Sequence, residues 1–185
     1  MLFYFLFFGF FKRELYIIIK VICSLNISWE EFIMEIERKY LVKRLPENLH
    51  LYEKEEIIQG YISIDPIIRL RKSNDNYCLT IKSKGHLKRE EVEFPLTKEQ
   101  FESLWQKVDS NTIYKSRYNI PLENNLVAEL DVYHGDLEDL LTVEVEFESE
   151  KASEKFTPPD WFGKDVTHDN RYKNSNLAVY GIPKD

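Results

Sequence analysis

Glycine and cysteine are scarce in this sequence, and neither is clustered. The 185 residues include six glycines and two cysteines, and no glycines have the spacing of the loops that hold phosphates through backbone N–H groups. Any phosphate bound by this chain must therefore be held by side chains. Cys23 and Cys78 form no CxxC pair, and the four histidines share no metal-ligand spacing. These absences argue against a disulfide framework and against a zinc–thiolate site.

An excess of positive charge is also lacking. Lys and Arg number 25 against 32 Asp and Glu, which gives a net charge of −7. Binding to a nucleic-acid backbone needs basic groups that neutralise the phosphates, so we expect no nucleic-acid partner. Apolar residues make up 43% of the chain and charged residues 31%, a composition typical of a globular domain. The length suits one domain, or at most two small ones.

The first 33 residues differ from the rest of the chain. They open with an almost wholly apolar run, Met1–Phe11, which three charged residues follow. No run reaches the roughly 18–20 apolar residues of a membrane-spanning helix, and a signal peptide would carry its positive charges before the apolar run. We interpret 1–33 as an extension outside the native domain, with the true start at Met34; a degenerate membrane anchor and a folded extra element are the alternatives. We expect no membrane association of 34–185.

Pairs of like charges recur two residues apart throughout 34–185. On a β-strand such residues share one face and lie about 6.5–7 Å apart, with an apolar or small residue between them. On a solvent-exposed face mixed signs would be lower in energy, because like neighbours repel. Sorting by sign therefore indicates ligands of opposite charge, namely divalent cations for acidic pairs and a polyanion for basic pairs. The pairs are Glu35/Glu37, Arg69/Arg71, Lys82/Lys84, Glu91/Glu93, Lys115/Arg117, Glu129/Asp131 and Glu144/Glu146.

A sheet that closes on itself would gather these pairs into one polar lumen, with the apolar faces packed outward on helices. Carboxylates without His or Cys suit Mg²⁺ or Mn²⁺ rather than zinc, and Arg and Lys both suit phosphate oxygens. The residues alone thus indicate a metal-chelated polyphosphate as ligand. For any single strand, the alternative is an ordinary amphipathic strand with a solvated outer face.

Two helices are predicted outside this sheet. Thr97 and Gln100 form a capping box, and apolar residues at helical spacing follow it. Residues 168–180 are predicted to form a terminal helix. Because no linker divides 34–185, we predict one α+β domain in which antiparallel strands dominate.

The order of these motifs resembles that of the CYTH domain of the triphosphate tunnel metalloenzymes. Glu35-Ile36-Glu37-Arg38-Lys39 matches the ExExK signature that opens the domain, and the other pairs follow in the order of the family's successive strands. Gly163–Thr167 and Tyr172–Ala178 resemble its C-terminal segment, although Asp165 stands where glutamate is expected. The resemblance covers essentially all of 34–185.

The resemblance implies an eight-stranded antiparallel β-barrel tunnel with a polar lumen and helices packed outside. Such proteins hydrolyse or rearrange triphosphates with Mg²⁺ or Mn²⁺. By position, the metal ligands would be Glu35, Glu37, Glu144 and Glu146, with Glu129 and Asp131 as candidates for a second metal or its water. Triphosphate would be bound by Lys39, Arg69, Arg71, Lys82, Lys115 and Arg117. Lys84 is added to this set because it forms a like-charge pair with Lys82. Glu91 and Glu93 either orient these basic groups or face solvent.

Three classes of function fit these residues. Metal-dependent hydrolysis of inorganic tripolyphosphate to pyrophosphate and phosphate is favoured, because a short single-domain chain shows no segment for holding a nucleoside or a thiazole ring. The second is an enzyme acting on an organic triphosphate, either a nucleotide or thiamine triphosphatase or a class IV-type adenylate cyclase. The third is a non-catalytic polyphosphate-binding module, which would not need so many carboxylates. We expect a small-molecule triphosphate as substrate, a cytoplasmic location, and a monomer or homodimer.

Overall fold

The computed structural model describes residues 33–82 and 87–184. Residues 1–32, which make up nearly all of the predicted extension, and the predicted triphosphate ligand Lys84 lie outside this part of the chain. The strands of the described part are β1 (Ile33–Val42), β2 (Glu53–Ile64), β3 (Ile67–Ser73), β4 (Asn76–Lys82), β5 (Lys88–Leu96), β6 (Ile113–Pro121), β7 (Val127–His134), β8 (Leu141–Glu146) and β9 (Phe162–Asp165). The α-helices are α1 (Lys98–Trp105), α2 (Glu150–Lys155) and α3 (Asn174–Tyr180).

The strands form one antiparallel sheet in the order β5-β4-β3-β2-β6-β7-β8-β1-β9, and β1 pairs in addition with β5. The predicted α+β class with antiparallel strands is confirmed, and within the described residues the sheet has nine strands, one more than the eight predicted for the tunnel. The additional strand, β9, has four residues and no pair of like charges, so the alternating pattern could not reveal it.

Strands β5 and β9 pair with the same edge of β1, one after the other. The N–H of Glu37 donates to the carbonyl of Leu87 at 3.1 Å, and the carbonyl of Lys39 accepts from the N–H of Val166 at 2.8 Å. Residues two apart on a strand direct their backbone groups to one edge, so both partners lie on that edge. β8 pairs with the same stretch of β1, from Glu37 to Leu41, and so takes the other edge.

The alternating pattern separates an apolar face of the sheet from a charged one. Ile36 and Tyr40 of β1 are buried in one cluster with Leu130 and Val143, whereas the charged neighbours of these residues point to the opposite face. A second buried cluster includes Tyr133 of β7 and Leu177 of α3. The core therefore holds the strands in a register that keeps the charged side chains together.

The predicted capping box at the start of α1 is confirmed. The side chain of Thr97 accepts from the N–H of Gln100 at 3.3 Å, and the side chain of Gln100 accepts from the N–H of Thr97 at 2.8 Å. Phe101 and Leu104 of α1 are buried. The predicted terminal helix is shorter than expected, because a 3₁₀ turn at Asn170–Tyr172 precedes α3. None of the described helices is long and apolar enough to cross a membrane.

Candidate active site

The charged faces of the strands line a cavity of about 1680 Å³. Twelve of the described candidate residues line it, namely Glu35, Glu37, Arg69, Arg71, Lys82, Glu91, Glu93, Lys115, Arg117, Glu129, Glu144 and Glu146. Lys39 lines a smaller cavity of about 50 Å³, which shares Glu37 and Glu144 with the large one. Asp131 is fully buried at 0% exposure. The structure therefore brings the predicted acidic and basic residues of several strands to one place.

Strand register places acidic side chains directly opposite each other. Glu37 of β1 pairs with Glu146 of β8, and Glu129 of β7 pairs with Glu144 of β8. Like charges in such cross-strand positions are destabilising. Burial, followed by the nearby carboxylates of Glu129 and Glu35, raises the pKa of Glu146 to about 7. This end of the cavity thus carries an excess of negative charge that a cation would relieve.

Glu144 has a different environment from Glu146, because two basic side chains bind it. Its Oε1 accepts from Lys39 Nζ at 3.0 Å, and its Oε2 accepts from Arg117 Nη2 at 2.9 Å. Burial alone would favour the neutral carboxyl, but the two cations outweigh it and hold the pKa of Glu144 well below its usual range. Glu144 is therefore ionised and fixed in position.

Asp131 also anchors basic side chains. It accepts from Arg117 Nε at 2.7 Å and Nη2 at 2.8 Å, and from Lys115 Nζ at 2.5 Å. Arg117 contacts Glu129 as well, so one guanidinium joins three carboxylates. Burial, and then the nearby Arg117, lower the pKa of Lys115 to about 8. In this arrangement both oxygens of Asp131 are taken up by Lys115 and Arg117.

The basic residues of β3 and β4 are held by the acidic residues of β5. Arg69 Nη2 donates to Glu93 Oε1 at 3.0 Å and lies 3.5 Å from Glu91 Oε1. Arg71 Nη2 donates to Glu93 Oε1 at 2.9 Å. Lys82 forms an ion pair with Glu91. Of the two interpretations of Glu91 and Glu93, the geometry matches the one in which they orient basic groups.

Two donors in this group lack an acceptor. The Nε atoms of Arg69 and Arg71 are buried and have no hydrogen-bond partner among the described residues. A buried donor without an acceptor costs about 1–3 kcal/mol. Both residues line the large cavity, so an anion bound there is a candidate acceptor for these donors.

Two further polar residues belong to the site and were not predicted. Thr80 is fully buried, accepts from Arg69 Nη2 at 2.9 Å and donates to Glu93 Oε1 at 2.9 Å. It lies two residues before Lys82, so the alternation could have revealed it. Asn174 of α3 lines both cavities and accepts from the hydroxyl of Tyr133 at 2.6 Å. No charge pair marks Asn174 in the sequence.

The donor set suits a hard divalent cation. Carboxylate oxygens are the ligands that Mg²⁺ and Mn²⁺ prefer, and Glu35, Glu37, Glu129 and Glu146 offer them to one cavity. Within residues 33–82 and 87–184, however, no three acidic, His or Cys side chains lie close enough to hold a metal ion as they stand. Binding would therefore require side-chain rotation or oxygen atoms from a substrate.

Comparison with known proteins gives one family and several named relatives. The model of the CYTH domain matches residues 34–172. The inorganic triphosphatase of Nitrosomonas europaea is 44% identical over 149 residues, which cover 78% of this chain and 97% of that protein. The inorganic triphosphatase of Acetivibrio thermocellus is 38% identical over 154 residues, covering 78% of this chain and 92% of that protein. A crystal structure of an inorganic triphosphatase aligns with a TM-score of 0.62 at 39% identity, covering 83% of this chain and 99% of that one.

Proposed function

This chain belongs to the CYTH domain family, and from that premise we propose that it hydrolyses inorganic tripolyphosphate to pyrophosphate and phosphate with the help of a divalent cation. The observation that carries the proposal is the cavity in which buried, unsatisfied Nε donors of Arg69 and Arg71 lie together with an acidic cluster. A short polyanion complexed with a cation complements both. The names of the two relatives, each an inorganic triphosphatase, support this choice of substrate.

The proposal includes a tunnel closed by eight strands. It is supported by the pairing of β1 with both β5 and β8, since these two contacts join the ends of the run β5-β4-β3-β2-β6-β7-β8. In this view β9 lies outside the ring, beside the C-terminal half of β1. A closed ring would expose the substrate to charged side chains on all sides.

Basic residues would bind the triphosphate and neutralise the charge that develops in the transition state. Phosphoryl transfer depends mainly on positioning and electrostatic stabilisation. We assign this role to Arg69, Arg71 and Lys82, which are oriented by Glu91 and Glu93. Lys39, Lys115 and Arg117 would add positive charge and hold Glu144 and Asp131 in place. Water would attack the terminal phosphorus while pyrophosphate leaves with the electron pair of the broken P–O bond.

Triphosphatases of this family are generally metal-dependent, and we assign Mg²⁺ or Mn²⁺ to this chain. The cation would be held by Glu35, Glu37, Glu129 and Glu146, with Glu144 beside them. A bound cation would neutralise phosphate oxygens and lower the pKa of water. We also propose a cytoplasmic location, because the two cysteines of the sequence are too few for the disulfide framework typical of small secreted domains.

Phosphate release from a panel of substrates tests this function. With Mg²⁺ or Mn²⁺ the purified protein should cleave tripolyphosphate faster than ATP, thiamine triphosphate or pyrophosphate, and EDTA should stop the reaction. Pyrophosphate should be a poor substrate because it is too short to reach both the acidic cluster and the basic residues. A higher kcat/KM on ATP or thiamine triphosphate would contradict the proposed substrate. Formation of cyclic AMP from ATP would instead indicate a cyclase.

A further inference from the structure

The strand that opens the family motif makes contacts on both of its faces. Lys39 of β1 points to the cavity side, whereas Arg38 points to the opposite face. Arg38 Nη1 donates to the carbonyl of Ser153 in α2 at 3.0 Å, and its Nη2 donates to Asp165 Oδ2 of β9 at 2.5 Å. The guanidinium carbon lies 5.1 Å from the ring centroid of Tyr40. Arg38 thus joins β1 to both α2 and β9.

From Asp165 the hydrogen bonds lead back to the backbone of β1. Asp165 Oδ1 accepts from the N–H of Thr167 at 2.9 Å, and Thr167 Oγ1 accepts from the N–H of Lys39 at 3.0 Å. The carbonyl of Lys39 accepts from the N–H of Val166 at 2.8 Å. Because β9 ends at Asp165, the hydroxyl of Thr167 takes the place of the backbone carbonyl that a longer strand would have offered.

Burial makes this replacement important. Thr167 is 8% exposed and Lys39 is 7% exposed, so water has little access to the N–H of Lys39. Buried backbone donors are almost always paired in native proteins. Without the hydroxyl of Thr167, this N–H loses its acceptor, and β1 or the segment after β9 would have to shift to supply another.

Lys39 connects this region to the cavity. Its ammonium donates to Glu144 Oε1 at 3.0 Å, and Glu144 also binds Arg117. A shift of the Lys39 backbone would therefore displace a basic side chain and the carboxylate that it holds. In phosphoryl transfer, where positioning supplies most of the catalysis, such a displacement is costly.

We propose that Arg38, Asp165 and Thr167 form a clamp on β1 that positions Lys39 for the reaction. The three are positioning residues, because they act through the backbone of Lys39 and the contact of its ammonium with Glu144. The kinetic consequence rests on the proposed function, whereas the clamp itself can be tested without any substrate.

Hydrogen exchange of the Lys39 amide tests the clamp directly. Thr167→Val keeps the shape of the side chain and removes the hydroxyl, so the Lys39 amide should exchange at least roughly ten-fold faster. Thr167→Ser restores the hydroxyl and should restore protection. The measurement is residue-resolved exchange by NMR in metal-free protein, with the melting temperature recorded for each variant. Unchanged protection in Thr167→Val, or equal loss of protection in Thr167→Ser, would overturn the clamp.

Kinetics on tripolyphosphate test whether the clamp matters for turnover. Thr167→Val, Arg38→Gln and Asp165→Asn should each lower kcat by roughly 10- to 100-fold. KM should change by less than about three-fold, because Arg69, Arg71 and Lys82, to which substrate binding is assigned, lie on β3 and β4 and keep their contacts with Glu91 and Glu93. Combining Arg38→Gln with Thr167→Val should cost little more than Thr167→Val alone, since both act on the same contact. Asp165→Glu, which keeps the carboxylate, should retain most of the activity.

A second ion pair of the same chemistry provides the control. Arg44 Nη2 lies 2.6 Å from Asp160 Oδ2, and both side chains are exposed. Arg44→Gln should leave both Lys39 exchange and kcat at the wild-type values. Wild-type kcat in Thr167→Val, or an equal loss in Arg44→Gln, would contradict the positioning role. If the wild-type protein fails to cleave tripolyphosphate, the proposed function is wrong. The hydrogen-exchange experiment still tests whether the clamp holds the backbone of Lys39.

Discussion

Glu144 and Glu146 lie two residues apart on β8, yet their surroundings shift the pKa values of the two carboxyl groups in opposite directions. Glu144 is held by Lys39 and Arg117, and its pKa is well below the usual range. The pKa of Glu146 is raised to about 7 by burial and by neighbouring carboxylates. The same substitution at these two positions should therefore change stability in opposite directions.

Glu146→Gln should stabilise the metal-free protein in a pH-dependent way. The carboxyl has a pKa of about 7 in the folded protein against an ordinary value of 4.5, so the folded state binds more protons between these values. Wild-type stability is therefore lost through this group as the pH rises from 4.5 to 7. The nearby carboxylates of Glu129, Glu35 and Glu144 raise the pKa of Glu146, and the ammonium of Lys82 lowers it. The variant should be increasingly more stable than wild type across this window, and equal to it below.

Urea unfolding with EDTA at several pH values measures this difference. Glu154→Gln, on the exposed side of α2, is the matched control and should show no such trend. If the free energies of unfolding of Glu146→Gln and wild type differ by the same amount at every pH, Glu146 does not titrate in this window.

Glu144→Gln should destabilise the protein, because it leaves Lys39 and Arg117 buried without their shared counter-charge. Removing one partner of a buried ion pair typically costs about 3 kcal/mol or more. The free energy of unfolding at neutral pH, measured with EDTA, checks this value. A variant as stable as wild type would mean that other carboxylates replace Glu144.

Arg69→Ala and Arg71→Ala should each reduce kcat/KM on tripolyphosphate. The loss should correspond to about 2–4 kcal/mol, because the contacts are charge-assisted and shielded from water. Lys72→Ala provides the control, since Lys72 directly follows Arg71 on β3, is absent from the residues that line the large cavity, and has its ammonium 5.8 Å from the ring centroid of Tyr77. Equal activity of all three variants and wild type would mean that the arginines do not contact substrate.

At the scale of elements, a close approach of the segment after α1 to β2 fixes the outer packing of the sheet. A Cβ at Gly60 of β2 would lie 2.6 Å from Val108 Cγ1 and 3.2 Å from Trp105 Cη2. Phe101 and Trp105 of α1 stack with ring centroids 5.0 Å apart. Glycine at position 60 therefore lets this aromatic layer contact the strand directly.

Gly60→Ala should destabilise the protein by about 1–3 kcal/mol, the usual cost of overpacking. Adding Val108→Ala removes the closest atoms and should recover part of that loss. The free energies of unfolding of the two single variants and the double variant form a cycle that measures the coupling. Purely additive effects would show that residues 60 and 108 are not in contact.

At the scale of the whole molecule, the family match covers residues 34–172 and leaves the apolar N-terminal segment outside. Every charged pair that lines the cavity also lies beyond Met34. We therefore predict that a chain starting at Met34 has the same melting temperature and the same kcat/KM on tripolyphosphate as the full chain. Loss of folding or activity on removal of residues 2–33 would show that this segment is part of the domain.

The sequence by itself determined the faces of the strands and the family. Alternation with period two assigns each side chain to one face of a strand, so Glu35 and Glu37, or Arg69 and Arg71, could be placed together from local spacing alone. The capping box at Thr97 is local in the same sense. The resemblance to the CYTH family is confirmed, because the order of the motifs along the chain is itself information in the sequence.

Only the tertiary structure decided which charges meet. Cross-strand register places Glu37 opposite Glu146 and Glu129 opposite Glu144, and the spacing within one strand carries no information on register. Cross-strand register also explains why Glu91 and Glu93 form ion pairs with basic residues. The sequence of β5 alone could not decide between such pairs and exposure to solvent. It also explains β9 and Thr167, since a four-residue strand and one hydroxyl acquire their role from the edge of β1 that they reach.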